Sequence, residues 1–69
     1  MDRRRFALQM RAILVMYRVE RRARNSVTMD HFRVRAHQLL DELDGTAADH
    51  PDLRGQIADL RTEIDADGR

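Results

Sequence analysis

Phe6 to Arg24, FALQMRAILVMYRVERRAR, is the stretch on which the fold turns. On a helical wheel at about 100° per residue, Phe6, Met10, Ile13 and Tyr17 share one side, with Leu14 at its edge. Leu8, Ala12, Val15, Met16 and Val19 fall roughly opposite. Arg4, Arg11, Arg18 and Arg22 form a stripe in one of the gaps, within about 40° of one another. Gln9 and Glu20 occupy the other gap. The spacing predicts a helix over residues 5–24. A helix that is apolar on two sides is normally buried on two sides, so the rest of the chain, or a second chain, has to supply the cover.

The rest of the chain reads as two further helices. Residues 25–28, NSVT, contain neither glycine nor proline. Asn25 suits a helix C-terminal position, and Ser26 or Thr28 suits an N-cap. The apolar stripe changes register here, which favours a break over one helix continuing through Leu43. A second helix is expected over residues 29–44. Its Met29, Phe32, Ala36, Leu39, Leu40 and Leu43 step by threes and fours along a single face. Asp30 would lie in its first turn, and Gly45 suits the position just past its end. Residues 46–50 read as a linker. Pro51, with Asp49 and His50 before it and Asp52 after it, marks the start of a third helix over residues 51–65. Leu53, Ile57, Leu60 and Ile64 give that helix a narrow seam like the edge of a coiled coil. Gly55 costs the helix about 1 kcal/mol relative to alanine and would allow another helix to approach closely.

The expected fold is therefore all-α: a small three-helix bundle, or a helical hairpin plus a helix completed by dimerisation. Two arrangements satisfy the pattern. The second and third helices can cover opposite sides of the first, closing around it. Alternatively, both cover one side, and the other side meets another chain. Length bears on this choice. Sixty-nine residues make one small domain, and such domains bury too little surface to be more than marginally stable alone. Eight of the apolar residues are alanine, and there is no cysteine. Disulfides and thiolate metal sites are thus excluded, which leaves regular helix packing or association as the means of stabilisation.

Charge is unevenly placed. Residues 1–35 carry ten arginines against Asp2, Glu20 and Asp30, for +7, whereas residues 36–69 carry three arginines against nine acids, for −6. This asymmetry points to a charged partner or to pairing between the halves. Lysine is absent, and thirteen arginines supply every fixed side-chain positive charge. The longest strictly apolar run is Ala12 to Tyr17, well short of the ~20 residues that span a bilayer. No signal-peptide pattern follows the early arginines. The expectation is a cytoplasmic chain with no membrane contact.

The residues offer little for catalysis or metal binding. Ser26 and Thr28 stand near His31, but no third group orients a nucleophile–base pair. His37 and Asp41 are four residues apart and could reach one ion, yet two ligands do not make a site. The reading is a non-enzyme without cofactor or metal.

Binding is better supported. Leu8, Val15, Met16 and Val19 are the expected partner contact, rimmed by Arg11, Arg18 and Arg22, with a protein or a second copy as partner. Met10, Met16 and Met29 suit an adaptable surface. The alternative is nucleic acid, with Arg4, Arg11, Arg18 and Arg22 tracking phosphates. The acidic last helix argues against a helix-turn-helix reader. Phe6, Tyr17 and Phe32 all sit on expected core faces, which leaves no stacking platform for single strands. A third reading makes Asp41, Asp44, Asp49, Asp52, Asp59 and Glu63 a phosphate-like row that occupies a basic groove on another protein.

Met16-Tyr17-Arg18, followed by Arg21, Arg22 and Arg24, resembles the opening of the LYR-motif adaptor proteins. The resemblance covers about nine residues, with methionine in place of the first leucine, in a chain shorter than is usual for that family. It implies a small three-helix protein that docks on assembly factors and acyl carrier protein, in agreement with a binding module.

Overall fold

A computed structural model describes residues 2–66. It contains three α-helices: α1 (Arg3–Ala23), α2 (Ser26–Thr46) and α3 (Pro51–Ala66). The all-α three-helix expectation holds. Met1 and residues 67–69, the end of the chain expected beyond the third helix, lie outside the described residues.

The helix boundaries differ from the sequence reading in ways that capping explains. α1 begins at Arg3, not residue 5, because the Asp2 carboxylate accepts hydrogen bonds from the backbone N–H groups of Arg4 (2.9 Å) and Arg5 (3.3 Å). Those donors would otherwise be unpaired at the helix start. α1 and α2 are separate helices, and the break is tighter than the four residues expected. Arg24 takes a left-handed conformation (φ 52°, ψ 33°) and ends α1. Asn25 then caps α2 rather than finishing α1: its side-chain oxygen accepts from Val27 N (3.0 Å) and Thr28 N (3.3 Å). Ser26 and Thr28 are consequently helical, not caps. α2 starts at Ser26 instead of residue 29, and Asp30 falls outside its first turn.

The far end of α2 also moves. The helix runs through Gly45 to Thr46, so Gly45 is not the residue past its end. Ala47 is fully buried and donates its N–H to the Leu43 carbonyl (3.0 Å), which the Thr46 hydroxyl also reaches (2.8 Å). Burying Ala47 extends the helix past the glycine. Only Ala47 to His50 remain as linker. The His50 carbonyl accepts from Leu53 N and Arg54 N to open α3, with Pro51 at the first helical position, where its missing N–H costs nothing.

The core gathers Phe6, Ile13 and Tyr17 from α1 with the single apolar faces of α2 and α3. Met29, Phe32, Ala36, Leu40 and Leu43 come from α2, and Leu53, Ile57, Leu60 and Ile64 from α3. Each large side chain so buried stabilises the fold by ~1.5–3 kcal/mol relative to exposure. Met10, Leu14 and Leu39, read as core or core edge, are only partly buried against it. Both α2 and α3 therefore cover the same side of α1. α3 runs antiparallel to α2: His37 meets Asp65 (2.8 Å), Asp41 meets Arg61, and Asp44 meets Arg54 (3.1 Å). It runs parallel to α1, as Arg3–Asp52 (2.9 Å) and Tyr17–Glu63 (3.3 Å) show.

Candidate protein-contact surface

The side of α1 turned away from the core carries Leu8, Val15, Met16 and Val19, which are 63%, 47%, 43% and 60% exposed. Ala12 lies among them and is exposed as well. Scattered apolar side chains on a surface need no explanation, but four large ones on one face of one helix form a patch. The residues that went inward are the larger and more exacting set. The Tyr17 ring stacks on Phe32 with centroids 6.1 Å apart, and its hydroxyl donates to the Glu63 carbonyl. A buried phenol needs such an acceptor, and α3 supplies it on this side of α1 alone.

All seven residues expected from the sequence to make a contact, Leu8, Arg11, Val15, Met16, Arg18, Val19 and Arg22, are exposed. The patch opens on one flank into a groove of about 600 Å³ between the first half of α1 and the end of α2. Phe6, Ala12 and Met16 form one wall and Leu39, Glu42 and Thr46 the other. The α2 wall was not legible in the sequence, because which half of α2 lies beside Ala12 is a matter of helix pairing. Val27 and Val34, 61% and 62% exposed, stand on the outer side of α2.

The other flank is the arginine stripe. Among the described residues, Arg4, Arg11, Arg18 and Arg22 make no ion pair with an acid side chain. Three exposed or half-buried acids of the second half are engaged elsewhere. Asp41 and Asp44 pair with α3 arginines, and Asp52 pairs with Arg3. The Arg3 guanidinium, hydrogen-bonded to Asp52, holds that carboxyl below the usual aspartate range. Arg3 also lies 3.4 Å from His50 Nδ1. So one arginine at the start of α1 joins the acidic half, and the stripe faces solvent.

Three of the candidate chemical groups, Thr28, His37 and Asp41, have structural duties. The Thr28 hydroxyl donates to the Asn25 carbonyl at 3.2 Å. His37 and Asp41 both turn to α3 and meet different partners there. Among the described residues, no three His, Asp or Glu side chains converge as metal ligands, and no helix is long and apolar enough to cross a membrane. Tyr17, the centre of the Met16-Tyr17-Arg18 triplet, is a core residue, 2% exposed.

No protein-family model matches the chain, and no curated protein or solved structure shows significant similarity to it. The nine-residue likeness to LYR-motif proteins is therefore without support from a family match.

Proposed function

We propose that this chain is a non-catalytic protein-association module, a small cytoplasmic adaptor, inhibitor or subunit, whose contact surface is the outer face of α1. One observation carries the reading. Leu8, Val15, Met16 and Val19 are together exposed on one face, while the core is completed from the opposite face. An apolar face rimmed by arginine suits a partner helix or groove, since arginine is favoured at interface rims and apolar side chains at interface centres. The test introduces a charge at the centre. Val15→Glu and Val19→Glu should each abolish association while circular dichroism shows unchanged helical content. If both variants lose their helical signal instead, that side belongs to the core and the reading fails.

The second reading, nucleic acid held by the stripe, is favoured by the lack of an ion pair at Arg4, Arg11, Arg18 and Arg22 among the described residues. It predicts that Arg11→Ala combined with Arg18→Ala weakens binding to duplexes of every sequence and flattens the salt dependence. Duplex affinity that ignores salt would exclude it.

A further inference from the structure

Whatever covers the outer face of α1 must accept large apolar side chains along its middle and supply acids along one edge. A second α1 meets neither need. In an antiparallel α1 pair the two arginine rows lie against each other, and in a parallel pair only Glu20 is offered as an acid.

α3 carries the complementary surface. Its outward side presents Gly55, Ala58, Thr62 and Ala66, all exposed and all small. Asp52, Asp59 and Glu63 run along one edge of that side, also exposed. These acids are spaced seven and then four residues apart, as are Arg11, Arg18 and Arg22. Laid parallel and face to face, the two helices bring both rows to the same side of the contact. With Arg18 level with Asp59, Arg22 is level with Glu63 and Arg11 with Asp52. In the same register Val15 falls between Gly55 and Ala58, and Val19 between Ala58 and Thr62. Large side chains thus meet the gaps between small ones, as in ridges-into-grooves packing.

Two further observations point outside the chain. A Cβ added at Gly55 would meet nothing within 4 Å. The close approach that a mid-helix glycine permits is therefore not made by any of the described residues. In addition, the side chains of Asp59 and Glu63, like those of Arg18 and Arg22, have no ion-pair partner among the described residues. Within one chain the two surfaces cannot meet, because α1 and α3 turn their opposite faces into the shared core.

We propose that the outer face of α1 is covered by the outer face of α3 from a second copy, in parallel, with Arg18 on Asp59 and Arg22 on Glu63. This rests on the association reading above and names its partner. The contact is head-to-tail, so a joined pair keeps one free surface of each kind, one on each copy. Assembly then continues until a ring closes or a filament forms.

The test is a charge swap on the full chain, read as molar mass by light scattering. Wild type should exceed the monomer mass in a concentration-dependent way and fall toward it at high salt. Arg18→Glu with Arg22→Glu, and separately Asp59→Arg with Glu63→Arg, should each weaken self-association at least about tenfold, because like charges now face each other. An equimolar mixture of the two variants restores opposite charges at every contact, so the large species should return. Gly55→Leu should keep its helical content and lose association. A wild type that stays monomeric, or folded variants that fail to complement, overturns the α1–α3 contact. Self-association that survives both charge variants but disappears in Val15→Glu overturns it too, while leaving the outer face of α1 as the contact surface.

Discussion

The two sides of α1 are made of similar residues and have opposite surroundings. Phe6, Ile13 and Tyr17 are each at most 3% exposed. Leu8 and Val19, on the other side, remain more than half exposed. Hydropathy alone does not separate these sets. What separates them is complementarity with neighbours: Tyr17 finds a ring at Phe32 and an acceptor at Glu63, whereas Val19 stays 60% exposed among the described residues. A helix can thus be amphipathic twice, and only one of its apolar sides need serve the fold.

Core truncation gives the largest effect expected from that contrast. Tyr17→Ala should cost ~3–5 kcal/mol, as large aromatic deletions in a core do. A domain of this size is stabilised by only a few kcal/mol, at ~0.05–0.15 kcal/mol per residue, so the variant should be largely unfolded at 25 °C by circular dichroism. Val19→Ala should shift stability by no more than ~0.5 kcal/mol, the usual range for surface sites. Equal losses at the two positions would break the contrast between the sides.

The ends of α1 and α2 sharpen the comparison at smaller scale. Asn25→Ala removes the acceptor for two backbone donors and should lower stability by ~1 kcal/mol in a denaturant titration. Arg24→Gly should act in the other direction. The left-handed conformation costs an L-residue about 1 kcal/mol or more, and glycine adopts it freely. A thermal midpoint that does not rise in Arg24→Gly would show that the turn is not held in that conformation in solution. Gly55→Ala should raise the stability of the isolated chain by up to ~1 kcal/mol, since the added methyl group meets open space.

The smallest effect concerns Asp52. Its carboxyl is held below the ordinary range by Arg3, so it is more acidic folded than unfolded. The stabilisation from this pair is present above the unfolded carboxyl's range and is lost as pH falls through the folded one. The pair is solvent-exposed, which keeps its contribution small. Arg3→Ala should return the Asp52 titration, followed by carboxyl chemical shift, toward the ordinary aspartate range.

How much of this was visible beforehand differs by element. The α2 and α3 core faces follow the threes-and-fours spacing closely, because a helix with one apolar stripe has one way to bury it. Leu39 departs because it lies at the edge of that stripe, on the wall of the groove. The helix ends were read less well. Asn25 has the chemistry of both a C-terminal residue and an N-cap, and the left-handed turn fell to Arg24, a residue type that gives no signal for it. Gly45 was misleading because the buried Ala47 behind it holds the helix together through Thr46. For the candidate surface, the residues on α1 were legible as a second apolar side, whereas the groove wall on α2 was not.

The order of side chains along the chain, by itself, determined three helices, an α1 with two apolar sides and an arginine row between them. These are local periodic properties, written in steps of three and four. The tertiary structure decided which side of α1 is core, since that depends on where two other helices can reach. Short connections at Arg24–Asn25 and Ala47–His50 hold α2 and α3 close, and their single apolar faces must share one core. Both helices therefore settle on the Tyr17 side of α1, and the Val19 side is left facing outward.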